Sequence, residues 1–132
     1  MTAALVDTSV WARRSQPAVG EELARAIEAD EVAVIQPIVL ELLRSARDAA
    51  ELDELAFEYD TLQCLDLTSN AERRARSLQR ALALRGHHRG PSTVDLLAAA
   101  AAAEVGIELW HCDRHFELIA ELTDQPVRRL GT

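Results

Sequence analysis

Two rhythms of apolar and polar residues alternate along this chain. Ala3-Ala4-Leu5-Val6 is a continuous apolar run stopped by Asp7-Thr8-Ser9, which predicts a strand buried on both faces and closed by polar residues. After Pro17, Val19, Leu23 and Ile27 recur every fourth position with charges between them, the pattern of an amphipathic helix. Glu31-Val32-Ala33-Val34-Ile35 predicts a second buried strand, and Pro37 then opens a helix, since proline is tolerated in a first turn. A helix follows from Ala49 to about Leu62, with Leu52, Leu55, Tyr59 and Leu62 at helical spacing. Gln63–Leu67 reads as a short strand. Thr68 or Ser69 caps a helix carrying Ala71, Ala75, Leu78 and Leu82 on one face.

The glycines and proline of Gly86-His87-His88-Arg89-Gly90-Pro91 mark a loop. Ser92-Thr93-Val94-Asp95 has the spacing of a capping box, and the alanine-rich helix it opens ends at Gly106. Ile107–Cys112 is a strand, Arg114–Leu122 a helix and Val127–Leu130 a final short strand. Strands that alternate with helices and are continuously apolar imply a parallel sheet covered on both faces. The expected fold is therefore α/β, a three-layer α/β/α sandwich with a central parallel sheet of four or five strands. No repeat or low-complexity tract interrupts it, so residues 1–132 are expected to form a single domain.

Composition narrows the chemistry. At 132 residues the chain can bury roughly two-thirds of its unfolded surface. With 48% hydrophobic and 27% charged residues it is an ordinary soluble sequence. No apolar run reaches the ~18 residues of a membrane span, and the opening residues lack the basic start of a secretory signal. Cys64 and Cys112 form no disulfide framework, read as small buried hydrophobes, and suit a reducing cytoplasm. Fourteen basic residues face twenty-two acids, a net charge of −8, which is the wrong sign for binding nucleic acid through the overall field. All fourteen basic residues are arginine. The absence of lysine removes Walker-A phosphate binding and Schiff-base chemistry.

The acids fall where chemistry would need them. Asp7 ends the first strand, Asp113 follows the Ile107–Cys112 strand, Asp95 lies in the first turn of the helix leading into that strand, and Glu41 sits early in the helix after strand two. In an open parallel sheet, ligands bind beyond the carboxyl ends of the strands. Carboxylates converging there repel one another unless a cation sits among them, and hard oxygen ligands select Mg²⁺ or Mn²⁺. Such a site polarises phosphate oxygens and activates water without lysine or a basic surface. Each acid also has a structural role open to it. Asp95 completes a capping box, Asp113 caps the following helix, and Glu41 faces water. Asp7, closing a buried strand, has the fewest structural duties.

At these residues the chain resembles the PIN-domain family. The similar segments are Leu5-Val6-Asp7-Thr8-Ser9-Val10-Trp11, Glu41 in its proline-led apolar helix, Asp95-Leu96-Leu97-Ala98-Ala99-Ala100-Ala101, and Asp113-Arg114-His115-Phe116-Glu117-Leu118-Ile119-Ala120. Length and order resemble the small VapC-type toxin ribonucleases of bacterial type II toxin–antitoxin systems over essentially the whole chain. The resemblance implies that Asp7, Glu41, Asp95 and Asp113 form an acidic Mg²⁺ or Mn²⁺ site. It also implies a metal-dependent endoribonuclease that blocks translation, a VapB-like antitoxin partner, an RNA substrate, a homodimer and a cytoplasmic location. The position of Ser9 commonly helps to hold that site, and Ser9 reads equally as a cap for a short Val10–Arg14 helix. His115 stands where many relatives carry a further acid, and His111 where many carry threonine or serine. His115 reads first as a solvated helix position, with contact to the metal's water or to phosphate as the alternative. Three or four carboxylates remain enough for one Mg²⁺.

Secondary candidates surround this set. Thr68–Gly90 holds six arginines and one acid, so Arg73, Arg76, Arg80, Arg85 and Arg89 could steer an RNA backbone, or simply form a solvated face. His87 and His88 read as part of a polar loop. The apolar face of the Leu52–Leu62 helix is either a partner groove or core. A phosphoaspartyl enzyme would also place an aspartate after strand one, but needs a second nearby aspartate and a lysine. A catalytically silent PIN-like binding module remains the alternative function.

Overall fold

The computed structural model describes residues 2–131; Met1 and Thr132, the outermost residues of the expected domain, lie outside them. The chain runs β1 (Ala4–Val6), α1 (Thr8–Trp11), α2 (Pro17–Glu28), β2 (Val32–Val34), α3 (Gln36–Leu43), α4 (Ala49–Asp60) and β3 (Gln63–Cys64). It continues through α5 (Ser69–Ala83), α6 (Thr93–Val105), β4 (Glu108–His111), α7 (His115–Leu122) and β5 (Val127–Arg129). Five strands form one sheet in the order β3-β2-β1-β4-β5, every neighbour parallel. The helices flank it in three layers.

This order explains the apolar runs. β1 lies at the centre, with Leu5 opposite Ala33 of β2 and Leu109 of β4, and the side chains of Ala4, Leu5 and Val6 are fully buried. A strand covered on both faces cannot alternate polar and apolar positions. The edge strand β3 differs: Gln63 and Cys64 are exposed, and pairing ends soon after the Leu65 N–H donates to the Val34 carbonyl at 2.8 Å. The strand expected over Gln63–Leu67 is therefore two residues long, and Cys64 lies on the surface instead of in the core. Cys112 is half-buried. The short first helix begins at Thr8, two residues earlier than Val10.

α6 is the hub, packing on α5, α3, α7, β1 and β4. Ala98 to Ala102 are all buried, because small side chains let neighbours approach the helix from every side. Gly106 ends it at φ 73°, a left-handed position that glycine adopts at little cost. Two charged or polar residues end the central strands. Asp7 follows β1, and His111, fully buried, closes β4.

The chain winds outward from β1 to β2 and β3, then crosses back to lay β4 on the other side of β1. The crevice above the β1 and β4 carboxyl ends is thus the topological switch point, where ligands bind in open α/β sheets. Among the described residues no helix is long and apolar enough to cross a membrane.

Candidate active site

Asp7 leaves β1 in an extended conformation and caps α1. Its Oδ2 accepts the Ser9 backbone N–H at 3.0 Å and the Ser9 hydroxyl at 2.7 Å. Its Oδ1 is buried without any hydrogen-bond partner. The residue is only 3% exposed. Burial pushes its pKa up to about 6; the Ser9 hydrogen bonds pull the other way, and the nearby charge of Asp95 pushes it further up.

Ser9 does more than cap. Its oxygen also accepts the Cys112 N–H at 2.9 Å, so one hydroxyl joins the end of β1 to the chain leaving β4. That bridge was not legible in the sequence, because 103 positions separate the partners.

Asp95 fills its structural role in full. Its Oδ2 accepts the Ser92 N–H at 2.8 Å while its own N–H donates to Ser92 Oγ at 3.1 Å, a complete capping box. The carboxylate is also buried and faces the other acids. Burial raises its pKa, the Ser92 hydrogen bond lowers it, and the Asp113 charge raises it.

Asp113 is placed by the turn after β4. Its N–H donates to His111 Nδ1 at 3.2 Å, and its Oδ1 accepts the His115 N–H at 3.0 Å. His111 therefore orients the turn from within the core. Burial lowers the pKa of its imidazole, so the neutral form that can accept this bond is the favoured one. The sequence offered one sign of this, a polar residue closing an otherwise apolar strand two positions before an aspartate.

The structure moves His115 out of bulk solvent. Its Nδ1 lies 3.3 Å from Asp113 Oδ1 and 3.9 Å from Asp95 Oδ2, with about a third of the side chain exposed. Asp95, Asp113 and His115 each present one ligating atom, all within 4.8 Å of one another. Glu41 is half-buried on α3, which packs on both α1 and α6 and so carries it beside the elements bearing Asp7 and Asp95. Its carboxylate is not part of the compact group. Nor is that of Asp7, whose unpartnered buried oxygen lies at the neighbouring strand end; two clustered carboxylates with such an oxygen nearby are hard donors that fit a divalent cation.

The arginines divide into two groups. The Thr68 hydroxyl, at the start of α5, donates to Glu104, near the end of α6, so the two helices run antiparallel. The loop after α5 therefore returns to the start of α6, where Asp95 lies. Arg80, Arg85 and Arg89 stand toward this end. Arg76 shares a shallow depression with Arg80 and His88. Arg73 lies about 15 Å before the end of α5, donates to Asn70, and lines a separate groove of about 990 Å³ between α5, α6 and α7. All five are exposed. On α4, Tyr59 is buried edge-on against Trp11 at 5.3 Å and Leu55 packs on the core, as does Leu62 just beyond the helix, whereas Leu52 and Phe57 face outward. That helix is part core and part open surface.

Known proteins are similar over nearly this whole length. The family model for the PIN domain matches residues 4–122. Ribonuclease VapC18 of Mycobacterium tuberculosis is 37% identical over 123 residues, covering 92% of this chain and 90% of its own. Ribonuclease VapC51 of the same organism is 41% identical over 122 residues, 92% of this chain and 88% of its own. Among solved structures, VapBC2 from Rickettsia felis, bound to a DNA fragment from its promoter, superposes with a TM-score of 0.78. That likeness covers 98% of this chain and all of the other at 14% identity, and it is a likeness of fold.

Proposed function

The chain belongs to the PIN-domain family, and from that premise we propose that it is a metal-dependent endoribonuclease, the toxin of a toxin–antitoxin pair that inhibits translation. The observation that carries this reading is the buried Asp7 Oδ1, left without a partner at the switch point. The named ribonuclease relatives, which align along almost their full length, support the reaction class.

Asp7, Asp95 and Asp113 would hold Mg²⁺ or Mn²⁺, with Glu41 close by on α3. The cation supplies Lewis acidity toward a phosphate oxygen and lowers the pKa of water. The protein's own groups do the rest. Ser9 fixes Asp7 Oδ2 and leaves Oδ1 free to point at the cation. The Ser92 capping box fixes Asp95 in the same way. Glu41, half-exposed and outside the compact cluster, is the candidate to accept a proton from the attacking water. Arg80, Arg85 and Arg89 draw the RNA backbone to an otherwise acidic protein, with Arg76 and Arg73 further along the same helix.

The partners in this reading are a VapB-like antitoxin, a second copy of the chain and RNA, met in the cytoplasm by a single domain. Purified, antitoxin-free protein incubated with total bacterial RNA should yield discrete fragments with Mg²⁺ or Mn²⁺. EDTA and the Asp7→Asn substitution should both abolish them. A folded protein that neither binds a divalent cation nor cuts RNA would instead be a silent binding module.

A further inference from the structure

We propose that His115 is a nitrogen ligand of the cation site and biases that site toward Mn²⁺ over Mg²⁺; the inference rests on reading the acid cluster as a cation site. The geometry comes first. His115 Nδ1, Asp113 Oδ1 and Asp95 Oδ2 face one another at 3.3 and 3.9 Å, with the three ligating atoms inside 4.8 Å. Octahedral ligands about 2.1 Å from an ion lie roughly 3 Å apart when adjacent and about 4.2 Å when opposite. The spacing suits one ion held between the three side chains.

Local structure holds the imidazole in that attitude. His115 opens α7, and its backbone N–H is already bound to Asp113 Oδ1, so ring and carboxylate leave the same turn. On the far side the ring meets the backbone of Gly90. A Cβ placed there would stand 3.4 Å from His115 Cδ2 and 3.6 Å from Nε2. The Nδ1 edge faces the acids, so Nδ1 is the nitrogen placed to ligate and Nε2 the one left to carry the proton.

A second observation points to a ligand independently. Asp7 Oδ1, where the chain leaves β1, is buried and has no hydrogen-bond partner. Asp7 stands outside the compact trio of Asp95, Asp113 and His115, at the end of β1 beside the turn after β4 that carries Asp113.

The choice of ion follows from that set. A carboxylate at position 115 would add a further hard, charged oxygen of the kind Mg²⁺ favours. Imidazole is neutral and softer. It gives up one unit of negative charge that would favour Mg²⁺, and offers a nitrogen that Mn²⁺ and the later first-row ions accept more readily.

The test uses wild-type protein with Mn²⁺ alone, read by electron spin-echo modulation, with Mg²⁺ competition followed by the signal of free Mn²⁺. Bound Mn²⁺ should show nitrogen-14 coupling from an imidazole, lost in His115→Asn and His115→Asp. His115→Asp should also lower the Mn²⁺-to-Mg²⁺ affinity ratio on the order of tenfold. Mn²⁺ that binds and is lost in Asp7→Asn, yet shows no nitrogen coupling, would overturn the role of His115 and leave the cation site standing. Nitrogen coupling that persists in His115→Asn would overturn it too. No Mn²⁺ binding at all would overturn both readings. The wild-type spectrum alone decides the first question, so the outcome does not depend on whether a variant folds.

Discussion

The two parts of α6 are built on opposite terms. From Ala98 to Ala102 the helix is buried, apolar and touched on several sides, a stretch in which every group is satisfied by packing. One turn earlier Asp95 is buried too, but beside Asp7, Asp113 and His115, where carboxylates crowd each other. The alanine segment stabilises the fold; the acidic turn is held in place against its own repulsion. Their adjacency teaches that the rigid segment is what allows the strained one to persist. Charges that would drift apart on a loop are fixed by a helix that cannot move.

The comparison can be broken most forcefully at Asp7. Asp7→Asn should reduce RNA cleavage by about 10³-fold, the scale of losing a group that stabilises transition-state charge, as read by fragment yield on gels. The same substitution should stabilise the metal-free protein. The Asp7 pKa is about 6 folded against 3.8 in the unfolded chain, so the folded state holds its proton more tightly. Wild-type stability should therefore fall as pH rises from about 4 to 6 and stay low above that, by about 2–3 kcal/mol. Asn presents its carbonyl to Ser9 and an amide where the lone oxygen was, so its denaturation midpoint should exceed wild type at pH 8 and match it below pH 4. Equal midpoints at pH 8 would show that the acidic turn carries no strain.

The packed half of the helix should respond in the opposite sense. Ala98→Leu forces two methylene-sized groups and more into filled space and should cost about 1–3 kcal/mol in chemical denaturation at every pH. Ser9→Ala lies between the two regimes. It leaves the Cys112 N–H without its acceptor and removes one donor from Asp7, so stability should fall by about 1–2 kcal/mol, and the Asp7 pKa should move further upward. The smallest effect belongs to the surface. Arg85→Glu with Arg89→Glu should raise KM for RNA about threefold at low salt with kcat unchanged, and the difference should vanish as salt screens it.

What the sequence revealed divides along the same line. The central strands were legible because burial on both faces forces an apolar run, and α6 because Ser92-x-x-Asp95 and Gly106 announce its two ends. β3 was overextended because Leu65 and Leu67 are apolar beyond the point where an edge strand still has a partner. Asp7 and Asp113 could be placed from strand ends, and Asp95 from the capping-box spacing at the start of α6. The position of His115 could not, since it depends on which way the first turn of α7 faces. Nor could the two-ended hydrogen bonding of Ser9, which exists only after β1 and β4 pair.

That last bond has a consequence for the order in which the protein is made. Asp7 and Ser9 are synthesised more than a hundred residues before Cys112 and Asp113. β4 pairs with β1 although its residues lie 104 positions later, so no fragment that stops short of β4 holds both sides of the crevice. The acidic crevice therefore comes into being only once β4 has emerged and paired with β1; until then Asp7 and Ser9 stand without Cys112, Asp113 and His115.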